Sequence, residues 1–168
     1  MKNERELVFL NALEENKDKL YRICSIYSND HEDAKDLFQE VLVHVWRSMA
    51  TFKGDSSLST WMFRIALNIC LRFKSKYTKN QHRFIRLDSM TIENFGSEER
   101  RGDENEKLMS LRACVKKLNE GDKAIVALYL EGLPYREISN ILGVSENNVA
   151  VKVKRIKSKL LNCINKLL

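Results

Sequence analysis

Two segments of the sequence carry side chains whose types and spacing suit them to binding other macromolecules. The segment from Asn147 to Leu168 has no acidic residue and repeats Asn, Lys and Arg. Amide and guanidinium groups can form paired hydrogen bonds with the edges of DNA bases, and cationic groups neutralise phosphates. Asp36, Gln39 and Glu40 are three and four residues apart, so on a helix they share one face. We interpret the first segment as a DNA contact and the second as a protein contact.

Neither segment predicts catalysis. Asp33, Asp36 and Glu40 have the spacing of a helix face, and no histidine or second carboxylate cluster completes a metal site. The cysteines are far apart, form no C-x-x-C pair and, with the three histidines, give no zinc-ligand spacing; they are Cys24, Cys70, Cys114 and Cys163. We therefore expect no catalytic residue, no metal and no cofactor. The cysteines are predicted to be reduced, mostly apolar packing residues.

The charge of the chain is positive and unevenly distributed. The formal net charge is +6 over 168 residues, and residues 56–87 form a second stretch without acids. A basic surplus suits a polyanionic partner, although solvated helix faces give the same composition. The charged N-terminus does not resemble a signal peptide, and no stretch approaches the roughly 18 apolar residues of a membrane span. We expect a cytoplasmic protein without membrane insertion.

Helical periodicity runs through almost the whole sequence. One proline and six glycines are too few for a loop-rich β protein. Residues 31–49 carry one apolar stripe, made of Leu37, Phe38, Val41, Leu42, Val45 and Met49. The pattern predicts an all-α protein with two small helical domains, residues 1–77 and 106–168. The polar stretch 78–105 between them is predicted to be a flexible linker.

The most regular pattern lies between Pro134 and Lys159 and predicts a helix-turn-helix. Pro134 suits the start of a helix, and Gly143 suits its end because glycine readily takes the left-handed conformation. Ser145 is placed to cap a second helix, rich in Asn and Lys, whose N-terminal residues can enter the major groove. An ordinary helical hairpin is the alternative, but the glycine, the serine and the asymmetric charge favour DNA binding.

Two motifs in the first half, residues 33–46 and 52–68, resemble region 2 of the sigma-70 family in its extracytoplasmic-function group. The helix-turn-helix resembles region 4 of the same group, so the resemblance covers about 20–77 and 106–163 in the expected order. It implies binding to core RNA polymerase through its β′ and β subunits. The face formed by Asp36, Gln39 and Glu40 would then dock on the clamp-helix coiled coil of β′.

The resemblance also implies two DNA-binding surfaces. The first would hold melted −10 DNA and includes a base-capturing loop between Phe52 and Leu58. Its residues would be Phe52, Lys53, Ser56, Ser57, Trp61, Arg64 and Asn68. The second would read double-stranded DNA at the −35 element, from Ser145, Asn147, Asn148, Ala150, Val151, Lys152, Lys154 and Arg155. Many family members carry polar or basic residues where this chain has Ala150 and Val151, which leaves the promoter sequence undetermined.

The resemblance therefore implies an alternative sigma factor without enzymatic activity, which directs promoter recognition, DNA melting and transcription initiation. The alternative is a stand-alone helix-turn-helix regulator, against which the lack of an evident dimer helix or effector pocket argues. A nuclease or recombinase with a helix-turn-helix tail has no support in the residues. Many relatives have an anti-sigma factor as a partner, and the sequence leaves open whether one exists here. It also leaves open the regulon and the inducing signal.

Overall fold

The computed structural model describes residues 2–73 and 103–167, with side chains from Glu4 and from Glu106 onward. The chain divides into two compact units, Met1–Lys79 and Asn80–Leu168. Every regular element within the described stretches is helical, which confirms the all-α class. The predicted linker lies outside the described residues from position 78 to position 102. The basic side chains between positions 74 and 86 also lie outside them.

As far as residue 73, the first unit is built from three helices. They are α1 (Lys2–Tyr27), α2 (His31–Ser48) and α3, whose described part covers residues 58–73. One continuous helix, α1, precedes the turn at Ser28. Asp30 ends the intervening turn and caps α2, because its Oδ1 accepts a hydrogen bond from the Asp33 amide at 2.8 Å. A single 3-10 turn, Met49–Thr51, follows α2.

The core of the first unit forms where the apolar stripes of these helices meet. Its members are less than a tenth exposed and include Leu20, Ile23, Leu37, Val41, Val45, Met62, Phe63 and Ala66. A buried amide lies among them. Asn16 on α1 donates to the Ala12 carbonyl at 2.8 Å and to Ser59 Oγ on α3 at 3.0 Å. These two bonds satisfy both hydrogens of the amide and join α1 to the start of α3.

The described part of the second unit, from residue 103 onward, contains four helices, α4 (Asp103–Lys116), α5 (Glu120–Leu130), α6 (Tyr135–Leu142) and α7 (Glu146–Leu167). Asn119 caps α5 through a 2.8 Å bond from the Asp122 amide to its Oδ1. The core is supplied mainly by α5, α6 and α7, with Ala124, Ile125, Val126, Leu128, Ile138, Ile141, Val149, Val153, Ile156 and Leu160. The long α7 therefore forms the spine of this unit.

The cysteines differ from the expectation. Cys114 on α4 and Cys163 on α7 form a disulfide with their Cα atoms 6.0 Å apart. The prediction that all four thiols are reduced is therefore wrong for this pair, whose sequence separation of 49 residues hides their proximity. It is confirmed for Cys24 and Cys70, which are free and fully buried in the first unit.

Candidate protein- and DNA-binding surfaces

The outer face of α2 presents the predicted acidic patch. Asp36, Gln39 and Glu40 are exposed, whereas Leu37 and Val41, which directly follow Asp36 and Glu40, are buried. This alternation follows from 3.6 residues per turn, which sends positions 36, 39 and 40 away from the core. No hydrogen bond or ion pair engages the three polar side chains within the described part of the chain. They are therefore available to a partner.

An apolar side chain extends this patch along the helix. Val43 lies three residues beyond Glu40 and is 45% exposed. At the opposite end, the pKa of the Asp33 carboxyl is raised by partial burial and by the nearby charge of Asp30. The acidic face is thus strongest at Asp36 and Glu40, with an apolar edge toward the end of α2.

The loop between α2 and α3 is held by a short set of polar contacts. Ser57 caps α3, because the Thr60 amide donates to its Oγ at 3.1 Å while the Ser57 hydroxyl donates to Thr60 Oγ1 at 2.9 Å. Ser56 makes a weaker bond, from its hydroxyl to the Ser57 carbonyl at 3.3 Å. Ser57 therefore has a structural role that the sequence did not reveal. Ser56 has the hydroxyl more easily turned toward a ligand.

The aromatic residues of this region separate into two roles. Phe63 is 3% exposed and belongs to the core. Trp61 is half-buried and packs on Phe52, with ring centroids 5.0 Å apart. Arg64 and Asn68 follow Trp61 at helical spacing and are exposed on α3. Arg64 and Asn68 thus form one continuous strip with the exposed part of Trp61. The half-buried Phe52 ring and the exposed Lys53 lie beside this strip.

The predicted helix-turn-helix is present as α6 and α7. Pro134 lies one residue before the first helical residue, as the N-cap of α6. Gly143 ends α6 with φ +71°, in the left-handed region that glycine adopts without strain. Ser145 caps α7 by accepting a hydrogen bond from the Asn148 amide at 3.1 Å. The Ser139 hydroxyl also donates to the Val144 carbonyl, which fixes the turn between the helices.

The first half of α7 presents a polar face opposite its buried one. Val149, Val153 and Ile156 face the core. All the residues predicted to contact −35 DNA are accessible: Ser145, Asn147, Asn148, Val151, Lys154 and Arg155 are exposed, and Ala150 and Lys152 are partly exposed. Val151 is 48% exposed and interrupts the polar side chains. The face therefore offers amides at its N-terminal end and cations one to two turns later.

The basic character of α7 does not extend evenly along the helix. Lys157 Nζ lies 4.8 Å above the centroid of the Tyr129 ring, and contact with Tyr129 raises the pKa of this lysine. Lys159 Nζ lies 3.4 Å from Asp122 Oδ2. Both partners belong to α5, far away in sequence, so no local pattern could have revealed these contacts. They leave Lys152, Lys154 and Arg155 as the main cationic groups for a polyanion.

An apolar groove on the second unit was not predicted. It has a volume of about 250 Å³ and lies between α4, α5 and the second half of α7. Leu111, Leu130, Leu161 and Ile164 contribute to its lining. Leu130 and Leu161 are 45% and 60% exposed. The groove is therefore open to solvent.

The described residues also bear on metal binding and membrane insertion. Among the described residues, no group of three or more His, Cys, Asp or Glu side chains is arranged to hold a metal ion. None of the helices in the described stretches has both the length and the apolar character needed to cross a membrane.

Comparison with known families gives two matches, in the same order as the two units. The family model for Sigma-70 region 2 matches residues 12–80, and that for Sigma-70 region 4 matches residues 108–160. Together they cover more than two thirds of the chain. The first match contains the α2 face and the Trp61 strip, and the second contains the helix-turn-helix.

Individual relatives extend the similarity across both units. The ECF RNA polymerase sigma factor SigM of Mycobacterium tuberculosis is 25% identical over 142 residues, which are 84% of this chain and 69% of that protein. The RNA polymerase sigma factor YlaC of Bacillus subtilis is 29% identical over 131 residues, covering 77% of this chain and 76% of its own.

Two solved structures share the fold. The structure of CnrH in complex with the cytosolic domain of CnrY matches with a TM-score of 0.66 at 18% identity, over 96% of this chain and 90% of the other. The sigma factor RpoE of Bartonella quintana, solved with the anti-sigma factor NepR, matches with a TM-score of 0.66 at 20% identity, over 98% of both chains.

Proposed function

Since this chain belongs to the sigma-70 family, as an alternative sigma factor of the extracytoplasmic-function group, we propose that it recognises core polymerase and promoter DNA through three surfaces that its helices hold outward. As a member of this family it binds core RNA polymerase and directs transcription initiation at promoters, and it catalyses no reaction itself. The residues that carry each contact are our proposal.

The first surface is the outer face of α2, which we assign to the polymerase. Asp36, Gln39 and Glu40 are exposed on a helix whose other side is packed in the core, so they present a rigid anionic patch. A basic helical surface on the β′ subunit would complement it, and such complementarity speeds association and selects the partner. Val43 adds an apolar contact at the edge of the patch.

The second surface is the strip that begins at the loop before α3, which we assign to melted −10 DNA. A base removed from the duplex loses stacking worth a few kcal/mol, which a protein must replace. Stacking on an aromatic ring supplies about 1–3 kcal/mol, and the half-buried Trp61 is held by Phe52 with one edge open. Ser56 provides a hydroxyl held by one bond of 3.3 Å, while Arg64 and Lys53 are placed for phosphates.

The third surface is the first half of α7, which we assign to the −35 element. Asn147 and Asn148 lie in the first turn, where a recognition helix meets base edges, and asparagine pairs with adenine. Lys154 and Arg155 follow on the exposed side, where they suit phosphate or guanine contacts. The accessibility of this face, opposite the buried Val149 and Val153, is the observation that carries the assignment.

We further propose that the protein works in the cytoplasm and is regulated by an inhibitory protein. The cytoplasmic location is supported by relatives named for their action with RNA polymerase. The inhibitor is supported by the shared fold of RpoE, which was solved bound to the anti-sigma factor NepR. Co-expression with candidate inhibitors should lower the yield of the complex with core polymerase.

Transcription from a pooled library of random promoters tests the whole proposal. Purified core polymerase with the protein should yield transcripts whose templates share two short motifs at fixed spacing, and core alone should not. The free protein should bind the same DNA weakly. Transcripts that do not depend on the protein would contradict the proposal, and nanomolar operator binding without polymerase would favour a stand-alone regulator.

A further inference from the structure

The four cysteines form two pairs, one in each unit. In the first unit Cys24 on α1 and Cys70 on α3 are free, fully buried thiols, close enough for Cys24 to raise the pKa of Cys70. In the second unit Cys114 on α4 and Cys163 on α7 are joined, although 49 residues separate them in sequence. The second pair differs in one member, because Cys163 is partly exposed while the other three cysteines are buried.

The Cys114–Cys163 bond holds a weakly attached helix. Among the described side chains of α4, from residue 106 to 116, only Cys114 and Val115 are buried. Leu108 and Met109 are 47% and 37% exposed. The helix-turn-helix, by contrast, has its own core from α5, α6 and the first part of α7. The cross-link therefore supplies much of what attaches α4 to the unit, and little of what holds the DNA-facing residues.

The proposed location makes a permanent cross-link unexpected. If the chain works in the cytoplasm, as the proposed function requires, its thiols meet a reducing environment, where disulfides are usually transient or redox-sensing. We propose that Cys114 and Cys163 are a reversible oxidation site, at which a peroxide or a low-molecular-weight disulfide clamps α4 onto α7. The clamp fixes Leu111, on α4, against Leu161 and Ile164 across the apolar groove.

The reaction is balanced with a peroxide as oxidant. The thiolate of Cys163, the partly exposed cysteine of the pair, attacks one peroxide oxygen; the O–O bond breaks, the sulfur becomes a sulfenic acid, and the hydroxide that leaves takes up the thiol's proton as water. The thiolate of Cys114 then displaces the sulfenic oxygen as a second water, and the sulfur–sulfur bond forms. Two thiols and one hydrogen peroxide thus give one disulfide and two waters. A dithiol reductant returns both thiols by exchange.

The buried pair in the first unit serves as an internal control. Hydrogen bonding to Cys24 and burial raise the pKa of Cys70 well above its usual value. The thiolate is the reactive form, so this pair should resist the same oxidant. A response confined to Cys114 and Cys163 would thus reflect their own setting and not a general sensitivity of the chain.

The experiment uses the full-length protein alone, so its outcome does not depend on the assigned promoter or polymerase contacts. The protein is reduced, freed of reductant, treated with hydrogen peroxide and alkylated after denaturation. Intact mass and non-reducing peptide mapping should show one cross-link, between Cys114 and Cys163, with Cys24 and Cys70 still alkylated. Hydrogen exchange should then slow at least tenfold in α4, and the melting temperature should rise by several degrees.

Variants separate the site from general oxidation. Cys163→Ser should lose the cross-link and the change in exchange, whereas Cys70→Ser should keep both. Incubation in a glutathione buffer of cytoplasmic ratio should return the parent to two thiols. The proposal is overturned by oxidation of Cys24 or Cys70 first, by equal α4 exchange in the two forms, or by a cross-link that this buffer leaves intact.

Discussion

Charge reversal on the outer face of α2 should separate polymerase binding from folding. The double variant Asp36→Arg/Glu40→Arg places two cations where two exposed carboxylates stand. An exposed ion pair is worth up to about 1 kcal/mol, and reversal replaces that attraction with a repulsion of about the same size. Two reversals then cost about 4 kcal/mol, roughly a thousandfold in affinity for core polymerase.

The variant should fold as the parent does. Neither Asp36 nor Glu40 belongs to the core, and in the described stretches neither forms a hydrogen bond or ion pair. Substitutions at such positions change the free energy of unfolding by about 0.5 kcal/mol or less. Urea unfolding followed by circular dichroism checks stability, and titration of labelled protein with core polymerase measures affinity.

A matched variant controls for net charge. Glu15→Arg/Asp18→Arg changes the formal charge by the same amount on exposed positions of α1. At 0.15 M salt the screening length is about 8 Å, so charges away from the contact contribute little. Core affinity unchanged by the α2 variant would refute the docking assignment. Equal losses in both variants would show a general charge effect and would refute it as well.

Three further predictions concern the two DNA surfaces and the stability of the turn at Gly143. Trp61→Ala should weaken the open complex roughly ten- to hundredfold by removing about 1–3 kcal/mol of stacking, while closed-complex binding in gel shifts changes little; equal losses in permanganate footprinting and gel shift would contradict this. Gly143→Ala should lower the free energy of unfolding by about 1–2 kcal/mol because the left-handed φ disfavours a Cβ even in open space; the helical Gly121→Ala, with only Asn119 Oδ1 at 3.6 Å, should be neutral or stabilising in the same urea titration. Lys154→Ala should reduce the slope of log affinity against log salt by about 1 without altering base preference, and Asn148→Ala should relax base preference in a selection from random sites; the reverse pattern would exchange their assigned roles.

Local features of the second unit were predictable because they depend on neighbouring residues. The turn at Gly143 and the cap at Ser145 follow from backbone conformations that few other residues satisfy, and both are present. In the first unit, the apolar stripe of α2 that contains Leu37 and Val41 likewise follows from the helical period, and these positions are buried. Such signals span less than ten residues, which is the range a single sequence reveals.

Contacts between distant segments were not predictable. The Cys114–Cys163 bond and the Lys159–Asp122 pair each join helices dozens of residues apart. Ser57 was predicted to hold a base, and no local pattern showed that its hydroxyl also caps α3. A serine before a helix is equally suited to both tasks, so residue type does not separate them.

The amide of Asn16 has a consequence for how unambiguously the first unit folds. Leucine and valine side chains tolerate small shifts between neighbouring helices. The apolar faces of three helices alone would therefore allow several alignments of similar energy. Sliding α1 by one turn against α3 would separate Asn16 from Ser59. The buried amide would then lack this hydrogen bond, at a cost of about 1–3 kcal/mol. Asn16 thus specifies the register of α1 against α3. Replacing it with leucine would trade a single well-defined arrangement for a set of competing ones.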